Sequence, residues 1–393
     1  MSRRTKKRIE QRNNTPAYDT YFANVLNTPV VNAKTAESIS TVYACVSAIS
    51  ETIASLPFEV FKRTATGREK AKTHALYKLI HDKPNHWQTA LEFREMLQRH
   101  VLLRGNGYAE IKRDRKGITA LIPIHPDSVT VLVNNNGNLV YDVVQHDGSV
   151  KRLLQDEILH LRYHPSESTP YLGRSPIQVA QDTIGLALAE QQHGQATFSN
   201  GTSMSGVIET LPTTTKDQAK QISDSWKANY SGVTNHGTTP VLPSGASFKP
   251  VSMSLIDAQW LESRQFSVLE VCRLFRIQPT IVGVLDNANY SNSVELARQF
   301  VTLTLKRHLL MWEQAINNTC LASAYYCEHN LDALLRGDNT NRAAFYQSAL
   351  SNGWMTIDEV RELENLPLGV IQQQAAQQTP PTQDKAGADN EEA

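Results

Sequence analysis

Residues 292–320 constrain the fold more than any other part of the chain. Val294, Ala297, Val301, Leu305, His308, Leu309, Trp312, Ile316 and Cys320 recur at three- and four-residue steps. That spacing is one face of a 3.6-residue period and predicts an amphipathic helix. Asn292 and Glu295, three residues apart, give it a capping-box-like start. At 1.5 Å per residue the helix is roughly 40 Å long, enough to cross a whole domain.

The rest of the chain alternates helices with a β-rich stretch. Over residues 38–56, Val42, Cys45, Val46, Ile49, Ile53 and Leu56 share a helical face, and Pro57 ends the helix. Residues 58–63 read as a strand, with a turn at Gly67. Thr89 and Glu92 form a capping box for a helix carrying Phe93, Leu97 and Val101, and Gly105 supplies its stop. Between 107 and 164 short alternations are separated by Lys116-Gly117, Asn136-Gly137 and Asp147-Gly148. Such dipeptides between apolar alternations predict hairpins, hence a small antiparallel β region.

Ser175-Pro176 opens another helix, with Ile177, Ala180, Ile184 and Leu188 on its apolar face. From Glu190 to Gln195 it is polar all round, so it must bridge solvent, pack through polar contacts or fray. Residues 206–252 read as a small unit, with strands near 205–209, 239–242 and 246–251 and a helix over 215–230 carrying Ile222 and Trp226. It has too little apolar content for a large core of its own. A helix over 255–275 follows, its stripe of Leu261, Val268, Cys272 and Phe275 broken by Arg264 and Gln265, and Pro279 stops it. Residues 338–366 read as two short helices broken at Gly353, with Trp354 and Leu363 packing them and Thr356 with Glu359 capping the second. From Ile371 the chain is Gln-rich, then Pro-containing, then acidic, the composition of a disordered tail.

Lys+Arg and Asp+Glu both number 39, so the formal net charge is zero. Wrapping duplex DNA by neutralising phosphates needs a basic excess, so the balance argues against a conventional DNA-binding domain. It leaves room for a surface that DNA slides past. Arg3, Arg4, Lys6, Lys7 and Arg8 form a dense basic block within an arm, residues 1–35, expected to be mostly disordered. The block suits contact with nucleic acid or an acidic partner, and equally a solvated tail. Of the cysteines, Cys45, Cys272 and Cys320 fall on apolar stripes, and neither they nor Cys327 form a C-x-x-C pair. Buried thiols are expected, not a zinc site or disulfide framework. No apolar run approaches the ~20 residues that span a bilayer. The N-terminus is polar and basic without an apolar h-region, so no membrane contact and a cytoplasmic, reducing site of synthesis are expected.

Local chemistry signals resolve to structural readings. The G-x-x-x-x-G-K-[ST] loop is absent, and Arg104-Gly105-Asn106-Gly107 follows a helix and precedes a strand, the reverse of a phosphate loop. His160 and His164 would share one face of a strand but lack a third ligand. No G-x-S-x-G elbow occurs. Asp156-Glu157 and Asp358-Glu359 read as turn and helix-start residues. No catalytic residue, metal or cofactor is expected.

Six segments, in this order, resemble the portal (head-to-tail connector) family of tailed bacteriophages, in its short siphophage form. They are Thr41-Val42-Tyr43-Ala44-Cys45-Val46 through Ala54-Ser55-Leu56-Pro57; Leu103-Arg104-Gly105-Asn106-Gly107-Tyr108; and Ile124-His125-Pro126-Asp127-Ser128-Val129. Then come Asp156-Glu157-Ile158-Leu159-His160 with Leu172-Gly173-Arg174-Ser175-Pro176; Asp257-Ala258-Gln259-Trp260-Leu261-Glu262 leading to Phe275-Arg276-Ile277-Gln278-Pro279; and Tyr290-Ser291-Asn292. Together they span about residues 38–368.

The resemblance implies an α+β portal fold with wing, stem, clip and crown regions. It places the wing at 36–174, the first stem helix at 175–205, the clip at 206–254 and the second stem helix at 255–278. The tunnel loop falls at 279–292, the long wing helix with its following segment at 293–338, the crown at 339–370 and a disordered tail at 371–393. It implies a homo-oligomeric ring, a dodecamer, at the capsid portal vertex of a virion, assembled in the host cytoplasm. Double-stranded DNA would pass through it during packaging and ejection. Its partners would be the terminase large subunit, the major capsid and scaffolding proteins, and a head-tail connector. Asp286, Asn287, Asn289, Tyr290, Ser291 and Asn292 would face the DNA channel. The competing reading is a DNA-processing enzyme, a nuclease or packaging ATPase subunit, and the missing nucleotide motif and carboxylate cluster speak against it.

Overall fold

The computed structural model describes residues 29–65, 67–115, 117–199, 206–209, 215–230, 247–250, 254–284, 293–331, 339–364 and 366–367. They fall into two units, one before and one after residues 333–334.

The first unit opens with a short helix α1 (Ala33–Glu37), capped by Asn32, whose side chain accepts from the Thr35 amide. Helical order therefore begins inside the arm expected to end at 35. Ser38 closes α1, and α2 (Ser40–Ser55) starts afresh, so the expected helix over 38–56 is shorter. Its buried face is the expected one, with Val42, Cys45, Val46, Ile49 and Ile53 fully covered. Leu56 turns extended before Pro57, which disfavours helical geometry in its predecessor.

Strand β1 (Phe58–Thr64) lies between β2 (Gly67–Lys70) and a strand that arrives much later, β11 (Tyr325–His329). Phe58 pairs with His329 and their rings stack 3.9 Å apart. Helices α3 (Ala75–His81) and α4 (Ala90–Arg104) follow, and α4 carries the expected Thr89–Glu92 capping box. The β region folds as two antiparallel sheets. One orders β4 (Gly117–Ile124), β3 (Asn106–Asp114) and β8 (Ile158–Arg162); the other orders β5 (Val129–Val133), β6 (Leu139–Val144) and β7 (Val150–Leu154). Gly137 and Gly148 adopt φ of 82° and 80°, the left-handed geometry that Asn-Gly and Asp-Gly turns require. Tyr108, Val129, Val131, Tyr141, Val143, Leu153 and Ile158 form the core between the sheets.

Beyond the sheets, the helix expected from Ser175 is two pieces, α5 (Pro176–Val179) and α6 (Gln181–Ser199), broken where Ala180 leaves helical geometry. Within the small unit, β9 (Gly206–Glu209) pairs antiparallel with β10 (Ser247–Pro250), and α7 (Lys216–Tyr230) lies between them in sequence. The strand expected at 239–242 lies outside the described residues. Helix α8 (Ser254–Phe275) packs on α6 and α2. The long helix is α9 (Ser293–Gln299), a π-helical segment over Phe300–Leu305, and α10 (Lys306–Cys320). All four cysteines are free, and Cys45, Cys272 and Cys327 are buried.

The second unit holds α11 (Asn339–Ser351) and α12 (Ile357–Leu363). Thr356 and Glu359 cap α12 reciprocally as expected. Trp354 and Leu363 do not bury between the helices; they are 55% and 39% exposed, and Trp354 rests edge-on against Phe345. Two short helices offer too little area to enclose them.

Candidate functional site

The residues assigned to the channel loop, Asp286, Asn287, Asn289, Tyr290, Ser291 and Asn292, lie outside the described residues, as do Arg3, Arg4, Lys6, Lys7 and Arg8. The structure describes the frame from which the loop is hung. On the entering side, α8 ends in a Schellman-type stop: the Ile277 amide donates to the Cys272 carbonyl at 2.9 Å. The left-handed residue of that stop is Arg276, at φ 56°, where glycine is usual. A 3-10 turn over Pro279–Val282 follows, and Gly283, at φ 89°, turns the chain again.

On the leaving side the π segment inserts irregularity into the long helix. Such bulges cluster at functional positions. Two hydrogen bonds tie the sides together. The Thr304 hydroxyl donates to the Arg276 backbone carbonyl, and the Gln278 side-chain amide donates to the Gln299 side-chain oxygen Oε1. Phe275, Ile277, Phe300, Val301 and Leu305 are buried around this joint. Both roots of the loop are therefore fixed to one another and to the core.

The long helix carries that joint to α4. Gln98 of α4 donates its amide N–H to His308 Nδ1 at 2.9 Å and accepts from Trp312 Nε1 at 2.9 Å. His308 also stacks on Tyr163, 4.8 Å between ring centres. Burial first, then the nearby Arg307, His164 and Arg276 side chains, push the His308 pKa down to about 3, so the ring is neutral. The polar stretch of α6 packs through polar contacts: the buried Glu190 carboxylate accepts from the hydroxyls of Ser263 and Ser267 on α8. The sequence showed the polarity of this helix but not its partner.

The motifs weighed for chemistry have structural roles. Gly105, at φ 79°, ends α4, and a Cβ there would meet the Gly173 carbonyl oxygen at 2.6 Å. Asn106 binds both sides of the Gly173 backbone, accepting from its N–H at 2.8 Å and donating to its carbonyl at 3.0 Å. Two segments far apart in sequence, Arg104-Gly105-Asn106-Gly107 and Leu172-Gly173-Arg174-Ser175, thus form one joint. His160 is held between Asn106 and the Tyr141 hydroxyl, while His164 lies beyond β8 at φ 42°, so the two do not share a strand face. Among the described residues no group of three or more His, Cys, Asp or Glu is arranged to hold a metal.

The described residues thus form an α+β body in which α8 and the long helix, on either side of residues 285–292, are tied to one another. A sequence profile of the phage portal protein family matches residues 40–365. The portal protein of Enterobacteria phage HK97 is 31% identical over 347 residues, covering 86% of this chain and 81% of that protein. The probable portal protein of Streptomyces phage phiC31 is 29% identical over 377 residues, covering 89% and 81%. Among solved structures, a chain from the neck of a native gene transfer agent particle computed with C12 symmetry aligns with TM-score 0.58 at 22% identity, over 89% of this chain and 99% of that one. An HK97-family phage portal protein from Corynebacterium diphtheriae aligns with TM-score 0.56 at 15% identity, over 79% and 100%. The chain belongs to the phage portal protein family, whose members are structural connectors and not enzymes.

Proposed function

We propose that copies of this chain close into a ring at one capsid vertex, and that double-stranded DNA passes along its axis during packaging and ejection. The observation that carries this reading is the joint at the loop roots, where Thr304–Arg276 and Gln278–Gln299 link the two helices flanking residues 285–292. A loop that meets moving DNA needs fixed anchorage, because force on its tip is resisted only at its roots. Asn287, Asn289, Tyr290, Ser291 and Asn292 offer amides and hydroxyls instead of cations. Strong phosphate contacts would hold the duplex and oppose its translocation.

The ring follows from family membership and from relatives found in necks of C6 and C12 symmetry. On this reading 206–254 is the clip, 339–370 the crown, and the helices flanking the clip are the stem. The terminase large subunit supplies the energy that this chain lacks the motif to harvest. It docks first, a head-tail connector later, with capsid and scaffolding proteins around the wing, and assembly takes place in the host cytoplasm. Native mass spectrometry with particle images tests the ring. About a dozen copies around an axial hole are expected, and a chain that stays monomeric at every concentration overturns it. Deleting 286–292 is expected to spare folding and assembly but impair packaging; normal packaging by assembled deletion particles overturns the loop assignment.

A further inference from the structure

This inference rests on the ring reading. A ring closed by one repeated contact needs two different, mutually complementary faces on each copy. Two exposed apolar faces of opposite charge meet that requirement.

The first runs along the outer side of the long helix. Leu303 and Leu310 are 62% and 42% exposed, and Lys306 and Arg307 lie exposed between them. Among the described residues neither cation has a carboxylate partner. Further positive charge adjoins: the exposed Arg276 guanidinium is close enough to act on His308. Arg276 and His164 are the non-glycine residues with positive φ among those described. Backbone strain of this kind collects at functional contacts.

The second face lies along α4. Trp87 and Leu91 are 54% and 47% exposed. The backbone that carries Trp87 is fixed: Asn85 accepts from the amides of Trp87 at 3.1 Å and Gln88 at 2.9 Å, and donates to the Leu121 carbonyl at 3.1 Å. Asn85 and Gln88 are buried beneath it. Tryptophan is among the commonest anchors of protein interfaces. Along the same helix a groove of about 420 Å³ is lined by Glu37, Glu92, Glu95, Met96 and Arg99. Arg99 serves both Glu37 and Glu95, and Arg104 is matched by Asp127. With Arg104 matched by Asp127, three glutamates against Arg99 leave the groove net acidic.

These faces cannot satisfy each other within one copy. Helix α4 meets the long helix through Gln98, His308 and Trp312, on the side away from Leu303, Lys306 and Leu310. We infer that the Leu303–Leu310 stripe of one copy docks on the Trp87–Leu91 face of the next, with Lys306 and Arg307 against its glutamates. Two large exposed aliphatic side chains within the basic stripe favour a second copy of this chain over a phosphate backbone.

Charge exchange in the full chain tests this by native mass spectrometry over a concentration series. Lys306→Glu with Arg307→Glu is expected to raise the concentration needed for assembly about tenfold or more, the scale of like-charge juxtaposition at an interface. Glu92→Lys with Glu95→Lys is expected to do the same. The four changes combined in one chain restore assembly. Glu92 also caps α4, so thermal unfolding checks each variant, and Trp87→Ser removes the anchor without touching the cap. Rings that form at the wild-type concentration in K306E/R307E, or a folded fourfold variant that fails to assemble, overturn the interface alone. So do variant rings that assemble normally but lose DNA retention, which would assign the stripe to nucleic acid. A wild-type chain that never forms rings overturns the ring reading as well.

Discussion

The two units use the same local devices and reach opposite degrees of burial. In the first, Thr89 and Glu92 cap α4, and the helix goes on to cover Phe93, Leu97 and Val101. In the second, Thr356 and Glu359 cap α12 with nearly the same bonds. Yet Phe345, Trp354, Ile357 and Leu366 stay half exposed there, and Ala349 is the buried hydrophobic residue among those described. Good caps set where helices begin; they do not supply a core. Short helices in water gain most of their stability from packing an apolar face, so α11 and α12 draw less from burial than α4 does.

The sharpest way to break that contrast is Trp312→Ala. The indole is 1% exposed, packs edge-on against Phe93 and donates to Gln98. Its loss leaves a cavity and an orphaned amide oxygen, with an expected cost of about 3–5 kcal/mol in chemical denaturation of the chain. An unchanged midpoint would remove the long helix from the core. Gly105→Ala should cost less, on the order of 2 kcal/mol, from left-handed strain and the close approach of Gly173. A wild-type midpoint there would mean that the Gly105–Gly173 joint yields freely.

Which features could be read from sequence follows the range of the interaction. Caps at Thr89 and Thr356, the stop at Gly105 and the turns at Gly137 and Gly148 are written in neighbouring residues, and the structure has each where the pattern puts it. The pairing of β1 with β11 is not, because the register joining Phe58 to His329 is set by a contact between distant parts of the chain. The break at Ala180 and the π segment over Phe300–Leu305 interrupt helices whose apolar periodicity runs on without a break, so the pattern does not show them. The frame of the candidate site was half legible: the apolar stripe named Leu305, His308 and Trp312, while nothing local announced the bonds from Thr304 and Gln278 to partners across the loop.

Acid probes the first unit's polar core. His308 titrates at about 3 when folded, against 6.5 for an unperturbed imidazole. The unfolded chain binds that proton first. Stability is therefore complete above pH 6.5 and falls as pH drops toward 3, by about 1.4 kcal/mol per pH unit for this group. His100, pushed down to about 3 mainly by burial, adds to the slope, so the test is a difference. His308→Asn should unfold with one proton fewer taken up between pH 6 and 4. Equal slopes in the two proteins would mean that His308 is already charged or solvated in the native state.

The smallest effect is expected where the contrast began, at Trp354. Its ring is 55% exposed and meets Phe345 at 5.3 Å between centroids, an edge contact worth about 0.5–1.5 kcal/mol beyond area. Trp354→Ala in the dilute, unassembled chain should leave the main unfolding midpoint in place and lower amide-exchange protection only over Asn339–Ser351 and Ile357–Leu363. The Arg342, Tyr346 and Glu364 side chains, joined by hydrogen bonds and an ion pair, still hold the two helices together. In the assembled particle the same substitution removes a side chain that a neighbour can cover, so protection there should fall further than in the free chain. If the loss is the same in both states, the exposed face of this unit is not covered on assembly, and its low burial is a property of the native unit and not a sign of a missing partner.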